Sequence, residues 1–144
     1  MAKDYGTLEI TKGQLKFISQ NLGRPLPAQL ARVRNRLFHI ITPEIEKLNS
    51  EIMPILAKYM KKGEDGKAIH DEMGNPVYEN EAELQKEWDK CLDGNVSFPI
   101  HASQLVEFQA LKKIFLESFD EKLNVQETRI YEELCTVLEN QKSL

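Results

Sequence analysis

The chain has 144 residues, 41% apolar and 29% charged, the composition of one soluble globular domain (1–144) large enough for a proper core. No apolar run approaches the ~20 residues of a membrane span. The opening MAKDYGTLEI has an acidic residue and no apolar h-region, which argues against a secretory signal. The net charge of −4 is unevenly divided, with residues 1–62 balancing to +6 and residues 63–144 to −10. The basic half can bind an anion, or the two halves can attract one another within or between chains.

Residues 5–10 alternate polar and apolar and read as a short strand. Thr11 and Gln14 form a capping box that opens a helix with Leu15, Ile18 and Leu22 inward, and Gly23 ends it. Arg24-Pro25-Leu26-Pro27 is a stiff connector. From there to Lys62 runs the longest amphipathic stretch. Leu30, Val33, Leu37, Ile41, Ile45, Leu48, Ile52, Ile55 and Tyr59 share one helical face. Pro43 and Pro54 leave two readings of it, helices over 27–41 and 43–62 or one kinked helix. The stripe crossing Pro43 without interruption favours the kinked helix.

Gly63-Glu64-Asp65-Gly66 is a turn, and the runs 67–70 and 76–78 around Gly74 predict a small β-hairpin or an irregular two-stranded flap that leans on a helix. Asn80 with Glu83 reads as a second capping box, opening a helix with Leu84, Trp88, Cys91 and Leu92 inward. Val96 to Ile100 alternates and is extended, with Pro99 restricting it to a sheet edge. A further helix buries Leu105, Phe108, Leu111, Phe115 and Phe119. Asn124 with Glu127 caps a last one carrying Ile130, Leu134, Val137 and Leu138. No internal repeat or linker is evident. The expected fold is mostly α, a helical bundle around one long helix with a small β-hairpin insertion.

Motifs for catalysis and cofactors are missing. His39, His70 and His101 are scattered, and no zincin, nucleophile-elbow, P-loop or dinucleotide pattern occurs. The acidic turns around Gly66 and Gly74 do not fit a calcium loop. Cys91 and Cys135 have neither disulfide-framework nor zinc spacing, as expected of reduced thiols in a cytoplasmic protein. The most specific cluster is Arg32, Arg34 and Arg36, with Arg24 upstream and His39 one turn on. Arginines near a helix start suit phosphate or carboxylate. A solvated face or ion pairs with the acidic half is the plainer reading of the same residues. The overall acidity argues against duplex nucleic acid.

Three stretches together carry a resemblance: Leu26-Pro27-Ala28-Gln29-Leu30-Ala31-Arg32, then Ile55-Leu56-Ala57-Lys58-Tyr59 with Glu64-Asp65-Gly66-Lys67, then Asn80 to Ile100. Over about two thirds of its length the chain resembles small phage- and prophage-encoded proteins of unknown function. The resemblance implies a phage origin and a non-enzymatic role without cofactor or metal. One such role counters host defence by sequestering a small anionic, nucleotide-like ligand or a host protein. The other is that of a virion or assembly accessory binding another phage protein through helical surfaces. For an anionic ligand the candidate residues are Arg24, Arg32, Arg34, Arg36 and His39. The long apolar stripe also predicts self-association into a homo-oligomer.

Overall fold

The capping boxes at Thr11/Gln14 and Asn124/Glu127 form as the sequence predicts, each side chain accepting from the third helical N–H. They open two of the five helices in a computed structural model that describes residues 4–120 and 122–144. Residues 1–3, part of the stretch read as lacking a secretory h-region, lie outside the described residues. The order is β1 (Asp4–Thr11), α1 (Lys12–Asn21), α2 (Ala28–Tyr59), α3 (Glu81–Leu92), β2 (Asn95–His101), a 3-10 turn (Ala102–Gln104), α4 (Leu105–Glu117) and α5 (Val125–Asn140). The fold is mostly α with a small two-stranded antiparallel sheet.

That sheet joins β1 to β2, with Leu8 opposite Phe98 and Ile10 opposite Val96. Alternation puts Val96, Phe98 and Ile100 inward, where they meet Leu8 and Ile10 against α1 and α4. Pro99 is tolerated because both strands of a two-stranded sheet are edges.

α2 is one helix that passes through both prolines. Each proline frees a carbonyl four residues back, at His39 and Ser50. Both residues are exposed, so water can satisfy them. Leu37, Ile41, Leu48 and Ile52 join the core, and Tyr59 is buried beyond it. α4 and α3 cover the stripe. The face expected to drive self-association is therefore largely enclosed within the chain.

The expected hairpin of 67–70 with 76–78 forms, paired antiparallel, as one side of a closed ring. Residue 60 bridges 78, 62 bridges 68, and 70 bridges 76. The Lys61 N–H donates to Val77 O at 2.8 Å, Val77 N–H to Ile69 O at 2.9 Å, and Ile69 N–H to Lys61 O at 2.9 Å. Three segments eight residues apart thus each pair with the other two. The sequence does hold a repeat, of eight residues: Glu64 matches Glu72, Gly66 matches Gly74, Ile69 matches Val77 and His70 matches Tyr78. Turns close two corners, with Asp65 Oδ1 accepting from Lys67 N–H and Asp71 Oδ1 from Met73 and Asn75 N–H. The third corner is the junction of α2 and α3, tied by Glu79 N–H to Tyr59 O at 2.8 Å.

No residue from 60 to 80 is fully buried, so this tip is shaped by hydrogen bonds and not by a core. It also overturns one expected cap. Asn80 leaves the ring in the left-handed region (φ 53°), its side chain makes no cap bond, and α3 starts without a capping box.

Gly74 sits at φ +81° with open space around its α-carbon. Gly74→Ala is therefore a strain of about 1 kcal/mol without a clash. Amide exchange at Asn75 and Val77 is expected to quicken about fivefold, with the global melting temperature nearly unchanged because the tip buries so little. Hydrogen-exchange mass spectrometry beside a thermal melt checks this.

Candidate functional site

The structure disperses the arginine cluster. Arg34 reaches back to the end of α1, its Nη1 donating to Arg24 O at 2.6 Å and to Leu22 O at 3.3 Å. A cation on carbonyls just past a helix C-terminus is a favourable cap. Arg24 donates to Asn21 Oδ1 at 2.5 Å and lies 5.2 Å from the Phe119 ring centre. Arg36 Nε bonds Glu107 Oε1 at 3.1 Å, tying α2 to α4. Glu107 is only 9% exposed, and its Oε2 is buried without a hydrogen-bond partner among the described residues. Arg32 and His39 stay exposed on α2, with no ion pair among the described residues. Helical spacing correctly places Arg32, Arg36 and His39 on one side. It does not show that Arg34 and Arg36 are engaged by the connector and by α4.

A concave surface lies away from these arginines. α1 contacts both α3 and α5, which make little contact with one another across it. Two clefts, of about 380 and 320 Å³, open along this trough. They share Gly13, Asp89, Leu92, Gln126 and Ile130, so they form one groove. Its apolar lining is Phe17 from α1, Trp88 and Leu92 from α3, and Ile130 from α5. Around it stand four carboxylates (Asp89, Asp93, Glu127, Glu133) against two cations (Lys16, Arg129).

Both cations are engaged within the chain. Arg129 Nε is 3.5 Å from Glu133 Oε1. Lys16 Nζ lies 3.9 Å from the centre of the Trp88 ring, and burial lowers its pKa from the ordinary lysine value. Among the carboxylates, Asp89 accepts from Gln85 Nε2 at 2.8 Å and Glu127 accepts from the Asn124 N–H in the α5 cap. The groove is thus an apolar trough with an acidic surround. Sequence periodicity predicts Trp88 and Ile130 to face inward, which they do only in part. That incomplete burial makes the groove, and it arises from three helices distant in sequence.

A third cluster lies where α1, α2 and α3 meet. Glu51 accepts from Lys12 Nζ at 2.5 Å, and Cys91 Sγ is 3.9 Å from the same oxygen. Burial pushes the Cys91 thiol above its ordinary pKa, which keeps it protonated and weakly nucleophilic. Among the described residues, no group of three or more His, Cys, Asp or Glu side chains is placed to hold a metal ion. No described helix is long and apolar enough to cross a membrane. Compared with known proteins, the chain matches no family model, no curated protein and no solved structure.

Proposed function

We propose that the protein is a phage-type, non-enzymatic binding protein that holds a basic amphipathic helix of a partner protein in the α1–α3–α5 groove. The observation that carries this reading is the groove itself, with its apolar floor, four carboxylates, and two cations already engaged within the chain. Helix-in-groove recognition needs an apolar floor to anchor side chains and a charged rim to select the partner. The partner is a host protein when the role is to counter host defence, or another phage protein when the role is assembly. Self-association in the bacterial cytoplasm belongs to the same proposal. Sequestration of a small anion ranks below it, because Arg34 and Arg36 already serve the fold and Arg32 and His39 line neither cleft of the groove.

The single tryptophan, Trp88, stands in the groove and reports on its occupancy. A designed Lys/Leu amphipathic peptide is expected to change its emission saturably, and a Glu/Leu peptide of the same length is not. Asp89→Lys combined with Asp93→Lys should weaken the first peptide by about tenfold or more at unchanged helicity. Equal responses to the two peptides, or none to either, would dismiss the groove as the binding site.

A further inference from the structure

We infer that Lys16 is a displaceable placeholder in the groove, its ammonium holding the position on the Trp88 ring that a lysine or arginine side chain of the partner helix takes on binding. The inference rests on the helix-in-groove reading above and names the residue that sets how tightly that groove takes a cationic partner.

Lys16 and Trp88 line the same cleft, so a side chain entering there meets both. Lys16 Nζ lies 3.9 Å from the centre of the Trp88 ring, a direct cation–π contact. The groove thus already shows which charge its indole accepts. Trp88 is only half-buried, which leaves the ring within reach of a partner.

The contact is one that can be exchanged. Lys16 has no ion pair among the described residues, so none of the groove's four carboxylates holds it. Burial leaves its ammonium short of hydration, which is the cause of its lowered pKa. Its four-carbon stem is flexible, so the charged head can swing out and recover water. The indole face it leaves attracts a second cation through the same ring quadrupole, with Asp89 and Glu127 lining the same cleft. A partner's lysine or arginine therefore replaces Lys16 with little loss to the ring contact, while Lys16 regains its hydration. Arg129, the other cation of the groove, pairs with Glu133 and does not line the cleft that holds Trp88, so the exchange concerns Lys16 alone.

Three forms of the full chain test this against one dye-labelled Lys/Leu peptide, read by fluorescence anisotropy so that Trp88 is not the reporter. Lys16→Met keeps an apolar stem without the charge, and should bind the peptide about fivefold more tightly than wild type. Lys16→Arg keeps the charge and stacks more strongly on indole, and should bind about threefold more weakly. That order should persist at about 500 mM salt, where repulsion at a distance is screened. If Lys16→Arg matches wild type and the gain of Lys16→Met vanishes at high salt, Lys16 merely repels the peptide through space. The placeholder is then overturned and the groove reading stands. Weaker binding by Lys16→Met overturns it as well, because the ammonium would then belong to the docking surface. A peptide bound by none of the three forms removes the groove reading and this inference together.

Discussion

Replacing Phe115 with alanine is expected to cost about 3–5 kcal/mol, the range for deleting a fully buried aromatic ring. Phe115 is completely enclosed. Its ring centre lies 6.0 Å from that of Phe17 on α1 and 5.4 Å from that of Phe119, and Phe119 in turn packs 5.0 Å from Tyr131 on α5. The Phe115 carbonyl also accepts the Tyr131 hydroxyl at 2.5 Å. One side chain therefore helps hold α1, α4 and α5 together, and its neighbours are restrained from collapsing into the space it leaves. Domains of this size are stable by about 5–15 kcal/mol, so the variant sits near the limit of folding. Its melting temperature should fall by roughly 10 °C or more. The control on the same helix is Val106→Ala. Val106 is 56% exposed, and the change there should stay within about 0.5 kcal/mol. Urea titrations of both variants check the contrast. Similar midpoints would mean that the aromatic cluster does not organise the core.

The second large effect concerns Arg36 and Glu107. Arg36→Met leaves the Glu107 carboxylate almost fully buried with neither oxygen paired, and should cost about 1–3 kcal/mol. The lower part of that range is favoured because half of the Arg36 side chain faces solvent, where screening weakens the pair. Converting both residues to methionine removes the orphaned charge and should recover most of the loss. A double-mutant cycle by chemical denaturation separates the cases. If Arg36→Met alone changes nothing, the pair is a surface contact, and Arg36 returns to the pool of residues available to a ligand.

What the sequence shows, and what it hides, follows from range. The boxes at Thr11/Gln14 and Asn124/Glu127 are local chemistry and form as read. The apolar stripe of α2 was readable because helical periodicity depends on no partner. Asn80 with Glu83 had the same signature and failed. The ring fixes Asn80 in a left-handed conformation from which its side chain makes no cap bond. The hairpin of 67–70 with 76–78 is legible from its turn and forms, whereas the ring that extends it is not, because its third segment, residues 60–62, reads as the end of the α2 helical run. Its trace was the spacing of eight between Glu64, Gly66, Ile69 and their partners.

The candidate arginines show the same limit on the functional side. Position around a helix is legible from numbering. Whether Arg34 meets the Leu22 and Arg24 carbonyls depends on how the connector turns. The groove was hidden for the same reason, since α1, α3 and α5 each contribute a few residues that look like ordinary core or ordinary surface.

The pairing of β1 with β2 also governs how the chain meets its surroundings during synthesis. Thr11 pairs with Asn95, 84 residues later. At about 5–20 residues per second, β1 has left the ribosome roughly 4–17 s before its partner is made. Through that interval Leu8 and Ile10, fully enclosed in the finished protein, have no sheet to join. The nascent chain therefore carries an unmatched apolar strand until most of the protein has emerged. β1, translated ahead of the other described elements, is among the last to be placed.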